Sequence, residues 1–183
     1  MAHPWHDIEL PPDDKLDVFP VVIEVPFGEK VKYELDKKTG LLRLDRILYS
    51  AVHYPANYGF VPRTYADDDD PLDVLVLGYE PIVPLAIVQA RAIGGFRMRD
   101  EHGDDTKIIA THVNDPAVAD YNDIAELPRH VMAEIMRFFE DYKVLEGKAV
   151  EVGARIGPAE ARRMLQAAVA SYRARAAELR ASG

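Results

Sequence analysis

Residues Asp67 to Gly78 read DDDDPLDVLVLG: four carboxylates, a proline, a fifth carboxylate and then an apolar run. Two unit charges 4 Å apart repel by about 1 kcal/mol in water and by about 4 kcal/mol at an effective dielectric of 20. A folded loop that gathers several of them needs either open solvent or a cation. Asp73 abuts a strand of buried type, and Pro71 stiffens the loop and drives Asp70 towards an extended conformation. A second acidic stretch, DEHGDDTK from Asp100 to Lys107, also lies between strand-like segments. Oxygen donors of this kind suit magnesium, which keeps several waters and takes one or two carboxylates per ion. Two such loops together could hold two or more ions. Ions about 3.5–4 Å apart can clamp both the attacking and the leaving oxygens of a phosphoryl transfer.

Two familiar acidic motifs do not fit. An EF-hand register starting at Asp68 places Leu72 and Asp73 where a ligand and the turn glycine belong, and one starting at Asp67 places Pro71 at a ligand position. An aspartyl nucleophile would follow a strand, whereas these carboxylates precede one. In an extended segment alternate side chains point to opposite sides. Asp68 and Asp70 are therefore expected to face the ions, and Asp67 and Asp69 to face water. Asp73 can join the first pair only if the chain bends near Pro71 and Leu72.

A substrate for such a site would be anionic and would need counter-charges. Lys32 shares a strand face with Glu34, Arg46 follows Asp45, Lys107 ends the second acidic stretch, and Lys143 follows Tyr142. Each alone has an ordinary alternative: Lys143 could complement a helix C-terminus, and Lys32 could be a solvated strand residue. Tyr54 and Tyr58 could be core or turn aromatics.

The elements that must position these residues follow from periodicity. VVIEVP (Val21–Pro26) and VKYEL (Val31–Leu35) alternate as strands, and LLRLDRIL reads as a third. HYPANYGFVP is aromatic and irregular, broken by Pro55, Gly59 and Pro62. DVLVLG is a short buried strand, AIVQARAIGGFRM a strand ending in a kink at Gly94–Gly95, and DEHGDDTKIIATHV a polar turn followed by a strand. Val131, Ile135, Phe138, Phe139 and Tyr142 recur at helical spacing, with Pro128 suited to the first helical position and Gly147 to the close. KAVEVGARI adds a strand. A last amphipathic helix carries Ala161, Met164, Leu165, Ala168 and Tyr172 on one face. Strands first and helices last argue an α+β domain with a barrel or sandwich.

The 183 residues are enough for one domain spanning 1–183, with residues 1–20, rich in Pro and Asp, expected on the surface. There is no cysteine, so disulfides, thiolate metal sites and a cysteine nucleophile are excluded. No apolar run approaches the roughly 18 residues of a membrane span, and MAHPWHDIELPPDD lacks the regions of a signal peptide. These features predict a cytoplasmic protein with no membrane partner. The net charge of −9 disfavours a nucleic-acid partner.

IEVP, KYELD, LDR, HYPANYGF, DDDPLDVLVL, RMRDEHGDDTK and FFEDYK occur in the order and at close to the spacing of the soluble family I inorganic pyrophosphatases. DDDPLDV (Asp68–Val74) is similar to that family's signature, Asp-x-Asp-Pro-hydrophobic-Asp-hydrophobic. The resemblance, to the bacterial type, covers Val21 to the last helix. It implies a five-stranded OB-like β-barrel flanked by two main helices, and hydrolysis of pyrophosphate to two phosphates with several magnesium ions. By resemblance, Asp68, Asp73 and Asp105 are ligands of the first ion, Asp73 is shared with a second, and Asp100 and Asp105 serve a further ion brought with substrate. Asp70 is the general base, taking a proton from an activated water. Glu24, Glu34 and Glu101 are supporting acids, Glu34 on the substrate side. Lys32, Arg46, Lys107, Tyr58, Tyr142 and Lys143 grip phosphate oxygens, and Tyr54 supplies a further hydroxyl. A homo-oligomer, commonly a hexamer, is also implied. The sequence departs at Asp69, where a glycine is common; Asp67, Asp104 and the loop residue His102 have no assigned role. Two rival readings are a magnesium-dependent hydrolase of larger phosphoanhydrides and an OB-type oligonucleotide-binding module. The latter lacks a basic, aromatic-interleaved stripe.

Overall fold

The computed structural model describes residues 2–101 and 103–182; His102 lies outside them. The strand β1 (Phe19–Val25) is buried along its whole length, as FPVVIEV, apolar on both faces except at Glu24, requires. It pairs antiparallel with β4 (Asn57–Phe60) on one side and with β6 (Ile87–Asp100) on the other. β5 (Asp73–Leu77) lies between β4 and β7 (Gly103–His112), antiparallel to the first and parallel to the second, and β6 pairs with β7. The five strands β1, β4, β5, β7 and β6 thus close an uneven ring, an OB-like barrel. β2 (Val31–Leu35) and β3 (Leu42–Ile47) form a separate hairpin, and β8 (Glu151–Ile156) extends the ring beyond β6.

Three elements differ from their sequence expectations. The irregular stretch around HYPANYGF contains β4, fully buried. Its prolines flank the strand and do not interrupt it, and Gly59 is what allows it: a Cβ there would stand 1.9 Å from the Val22 carbonyl oxygen of β1. β6 does not end at Gly94–Gly95. It bends there through a bulge between Ala92 and Gly94, with Gly94 at φ +146, and runs on to Asp100. That bend lets one long strand pair with β1 at its start and with β8 at its end. The helix α1 (Arg129–Asp141) starts just after Pro128 and stops before Tyr142, six residues short of Gly147. Gly147, at φ +72, instead closes a 3-10 turn over Val144–Glu146. The early stop releases Tyr142 and Lys143 from the helix.

α1 buries Met132, Ile135, Phe138 and Phe139 against the barrel. Truncating either phenylalanine to alanine is expected to cost about 3–5 kcal/mol. The helix α2 (Pro158–Ser182) packs Ala161, Leu165, Ala168 and Val169 onto the opposite side of the barrel, with Met164 partly buried. The N-terminal segment does not simply lie on the surface. Trp5, His6 and Leu16 are buried, Trp5 in a cluster with Phe60, Tyr65 and Tyr172.

Candidate active site

Asp73 is the first residue of β5, and the four that follow are buried in the barrel wall. The parallel register Val74↔Ile108 sets the start of β5 beside Lys107 of β7. Asp105 and Lys107 are two apart on that strand and so share a face. The Lys107 ammonium, buried, contacts the Asp73 carboxylate, stands 2.7 Å from Asp105 Oδ2 and donates to the Tyr58 hydroxyl at 3.2 Å. Asp68 reaches the same place from the preceding turn. Carboxylate oxygens of Asp68, Asp73 and Asp105 lie within 4.8 Å of one another.

That triad is electrostatically unbalanced. Asp73 and Asp105 share one ammonium, and Asp68 has no ion pair among the described residues. Burial first, then repulsion by Asp73, Asp105 and Asp70, pushes the Asp68 carboxyl up to about 6. Burial also raises Asp105, with Lys107 opposing. Burial would lower Lys107, but Asp73 and Asp105 hold it well above the usual lysine range. An all-oxygen donor set carrying more negative charge than its one lysine balances fits a bound cation.

The acidic turn itself is not extended. Asp69 has a left-handed backbone, φ +64, so the bend comes two residues earlier than Pro71 and Leu72. This explains why a glycine suits the position. The alternation in exposure survives the turn: Asp67 and Asp69 are exposed, Asp68 and Asp70 half-buried. Asp70 stands outside the triad. Its amide donates to Asp68 Oδ1 at 3.2 Å, and its own carboxylate lies 2.5 Å from the Lys37 ammonium.

The β2–β3 hairpin faces the triad. Its register Lys32↔Arg46 sets the two cations side by side. Lys32 pairs with Glu34 and, at 3.2 Å, with Asp45. Burial would lower Lys32, but Tyr54, Glu34 and Asp45 keep it above its ordinary range. Arg46 contacts Asp45, and its Nε donates to Glu146 Oε1 at 2.8 Å, while its Nη2 is buried without a partner among the described residues. Glu24 anchors the hairpin from β1 by accepting the Leu35 amide at 2.7 Å. Burial and then Asp73 raise its carboxyl to about 8.

The end of α1 closes the third side. Lys143 stands 2.7 Å from Asp100 Oδ2 and 3.3 Å from Glu101, and Lys148 pairs with Glu101 at 2.9 Å. Arg46 and Lys143 lie over the Tyr142 ring at 6.0 and 5.5 Å. Tyr54 and Tyr58 pack against each other, ring centroids 5.4 Å apart. Burial pushes the Tyr54 hydroxyl up to about 12.

Every candidate site residue named from the sequence lines one cavity of about 500 Å³. Asp100 lies on it but outside the compact triad, on Lys143. Sequence reasoning gave no role to Lys37, Asp45 and Lys148, which also line the cavity, or to Glu146, the partly buried partner of Arg46. Glu146 lies 100 residues from Arg46 in the chain, and nothing local marks it.

Residues 21–173 match the model of the inorganic pyrophosphatase family. A soluble inorganic pyrophosphatase of Zea mays is 55% identical over 171 residues, covering 93% of this chain and 79% of its own. The crystal structure of the inorganic pyrophosphatase from Thermus thermophilus superposes with a TM-score of 0.88 at 39% identity, covering 93% of this chain and 99% of that one. The Helicobacter pylori inorganic pyrophosphatase gives 0.86 at 41% identity, over 91% and 98% of the two chains. On a match that takes in most of its length, the chain belongs to the inorganic pyrophosphatase family.

Proposed function

We infer that the chain, an inorganic diphosphatase by family, cleaves pyrophosphate into two phosphates in this cavity and uses magnesium to do so. The observation that carries the reading is the triad of Asp68, Asp73 and Asp105, within 4.8 Å of one another, with a single ammonium on two of them. Those three carboxylates would hold the first ion, Asp73 would also face a second, and Asp100 would serve one arriving with substrate. Bound there, magnesium inverts the local field for an incoming anion and makes water acidic enough to attack near neutral pH.

The chain's own residues supply the rest. Asp70 accepts the proton of the attacking water; its place outside the triad supports that role. Lys32, Arg46, Lys107 and Lys143 hold phosphate oxygens, with the hydroxyls of Tyr54, Tyr58 and Tyr142. The buried, unpartnered Nη2 of Arg46 supports this assignment. Leaving a buried donor unsatisfied costs about 1–3 kcal/mol, and a phosphate oxygen would satisfy it. Glu34 and Glu101 hold Lys32 and Lys143 in place, and Glu24 holds the hairpin that carries Lys32.

The whole chain, 1–183, works as one domain. By family resemblance it works in the cytoplasm as a homo-oligomer, a hexamer; exposed Tyr79 and Val83 leave apolar surface that a second copy would cover. The test is phosphate release from pyrophosphate, tripolyphosphate and ATP. Pyrophosphate should be cleaved with magnesium and spared with EDTA. Calcium, larger and less strict in geometry, should support the reaction poorly and compete with magnesium. Full activity with calcium alone, or preference for ATP, would overturn the reading.

A further inference from the structure

We propose that Lys37, braced by the N-terminal segment, is a positioning residue for the turn that carries Asp70. The proposal rests on reading Asp70 as the general base. Lys37 sits in the turn between β2 and β3 and lines the cavity. Its ammonium lies 2.5 Å from Asp70 Oδ1 and donates to the Asp69 main-chain carbonyl at 2.8 Å. These contacts grip the place where the turn is conformationally costly. A left-handed backbone disfavours a residue with a Cβ, though Asp and Asn tolerate it better than most. The Tyr65 hydroxyl binds the Asp69 carboxylate, and the Ala66 amide donates to the Asp70 carbonyl at 2.8 Å. The direction of the Asp70 carboxylate therefore depends on a turn held from outside by other side chains.

Lys37 and Asp70 are 42% and 51% exposed, and an exposed ion pair is worth little by itself. What makes Lys37 more than that is its backing. Its ammonium lies 5.9 Å from the centroid of the Trp5 ring, a cation–π arrangement. His3 Nε2 lies 2.9 Å from the Lys37 main-chain oxygen. Trp5 is fixed in turn: its Nε1 donates to the Thr64 carbonyl at 2.8 Å, and its carbonyl accepts the Arg63 amide at 2.8 Å. The segment is then tied to α2. His6 Nδ1 meets the Tyr172 hydroxyl at 2.8 Å, Arg180 donates to Asp7 at 2.9 Å, and Arg173 binds Asp13 through two nitrogens. A chain of contacts thus runs from α2 through Trp5 and His3 to Lys37, and from Lys37 to Asp69 and Asp70. The N-terminal residues hold no substrate group, yet they set the aim of one.

The test is steady-state kinetics with pyrophosphate and magnesium on Lys37→Met, Lys37→Arg, Trp5→Leu, the Lys37→Met/Trp5→Leu pair and Asp70→Asn, with thermal melts alongside. Lys37→Met should lower kcat about tenfold, less than the roughly 10²-fold a 1 Å misplacement can cost. KM and the magnesium requirement should barely move, because Lys37 contacts none of Asp68, Asp73 and Asp105. Lys37→Arg should recover most of the loss. Trp5→Leu should lower kcat in the wild-type background and add little once Lys37 is gone; independent roles would instead add. Trp5→Met, which fills the core without a ring, carries the cycle if Trp5→Leu does not fold. Wild-type kcat in Lys37→Met beside a nearly inactive Asp70→Asn would overturn the inference and leave Asp70 its role. Wild-type turnover in Asp70→Asn would overturn the role of Asp70 and the inference with it. A raised KM at unchanged kcat in Lys37→Met would make Lys37 a substrate contact and also overturn the proposal.

Discussion

Along α2, Asp7, Asp13 and Asp17 each have an arginine of their own: Arg180, Arg173 and Arg162, at 2.8–2.9 Å. In the cavity, Asp73 and Asp105 share one lysine, and Asp68 beside them has no ion pair among the described residues. The consequences for protonation are opposite. A hydrogen bond from the His3 amide, then Arg180, lowers Asp7, and Arg173 lowers Asp13. Burial and neighbouring carboxylates raise Asp68 to about 6. The first cluster is assembled to hold the chain together. The carboxylates of the second repel one another, which is how a group able to hold a cation differs from a clamp. Counting carboxylates in the sequence does not separate the two; counting the cations within reach of each does.

Removing carboxylates from each region should have opposite consequences. Asp68→Asn, Asp73→Asn and Asp70→Asn should each lower turnover at least about 10²-fold, the low end for a positioned acid–base group. In EDTA, Asp68→Asn should also melt higher than wild type, because it removes a repelled charge. Asp13→Asn should do the reverse, with a slightly lower melting temperature and turnover within about twofold of wild type, since His6 and Asp7 still tie the segment to α2. If both variants lost stability and kept turnover, the two regions would be of one kind.

A smaller effect is expected at Arg46. Arg46→Lys keeps the charge but loses the planar donor set that meets Asp45, Glu146 and, by the proposal, phosphate. Hydrogen bonds to charged groups are worth roughly 1.5–3 kcal/mol, so turnover should fall about tenfold or more with the fold intact by circular dichroism. Wild-type kinetics would remove Arg46 from the phosphate grip.

The smallest effect lies in the clamp. Burial, with His3 and Arg180 adding and Asp7 opposing, holds the His6 imidazole down at about 4. Its unfolded value is about 6.5. Between those values the unfolded chain binds a proton that the folded chain refuses, so stability is lost as pH falls from 6.5 towards 4. The melting temperature of wild type should therefore fall more steeply over that window than that of His6→Gln. Parallel curves would mean that His6 stays solvated.

The site was legible where its residues are contiguous. Asp68, Asp70 and Asp73 sit in one turn and strand start, and Asp105 and Lys107 alternate along β7, so spacing and family resemblance both reach them. Positioning groups were not. Glu146 meets Arg46 across 100 residues, and Lys37 reaches Asp69 across 32; neither pairing leaves a local pattern. The strand β4 was hidden by prolines that in fact bound it. The end of α1 was hidden because Gly147 is a good closing residue for the 3-10 turn that follows. The N-terminal segment read as surface on composition, since its buried anchors, Trp5 and Leu16, are outnumbered by Pro and Asp.

Everything proposed for the site turns on whether the aspartate excess binds a cation. Calorimetric titration of magnesium into the substrate-free protein tests it directly, with Asp67→Asn and Asp68→Asn compared against wild type. Wild type and Asp67→Asn should bind alike, because Asp67 is exposed and outside the triad. Asp68→Asn should weaken binding by at least the roughly 10- to 100-fold that even an outer-shell partner is worth. Three superimposable isotherms would contradict the account, and would mean that the charge is gathered there for solubility and that any metal is held elsewhere.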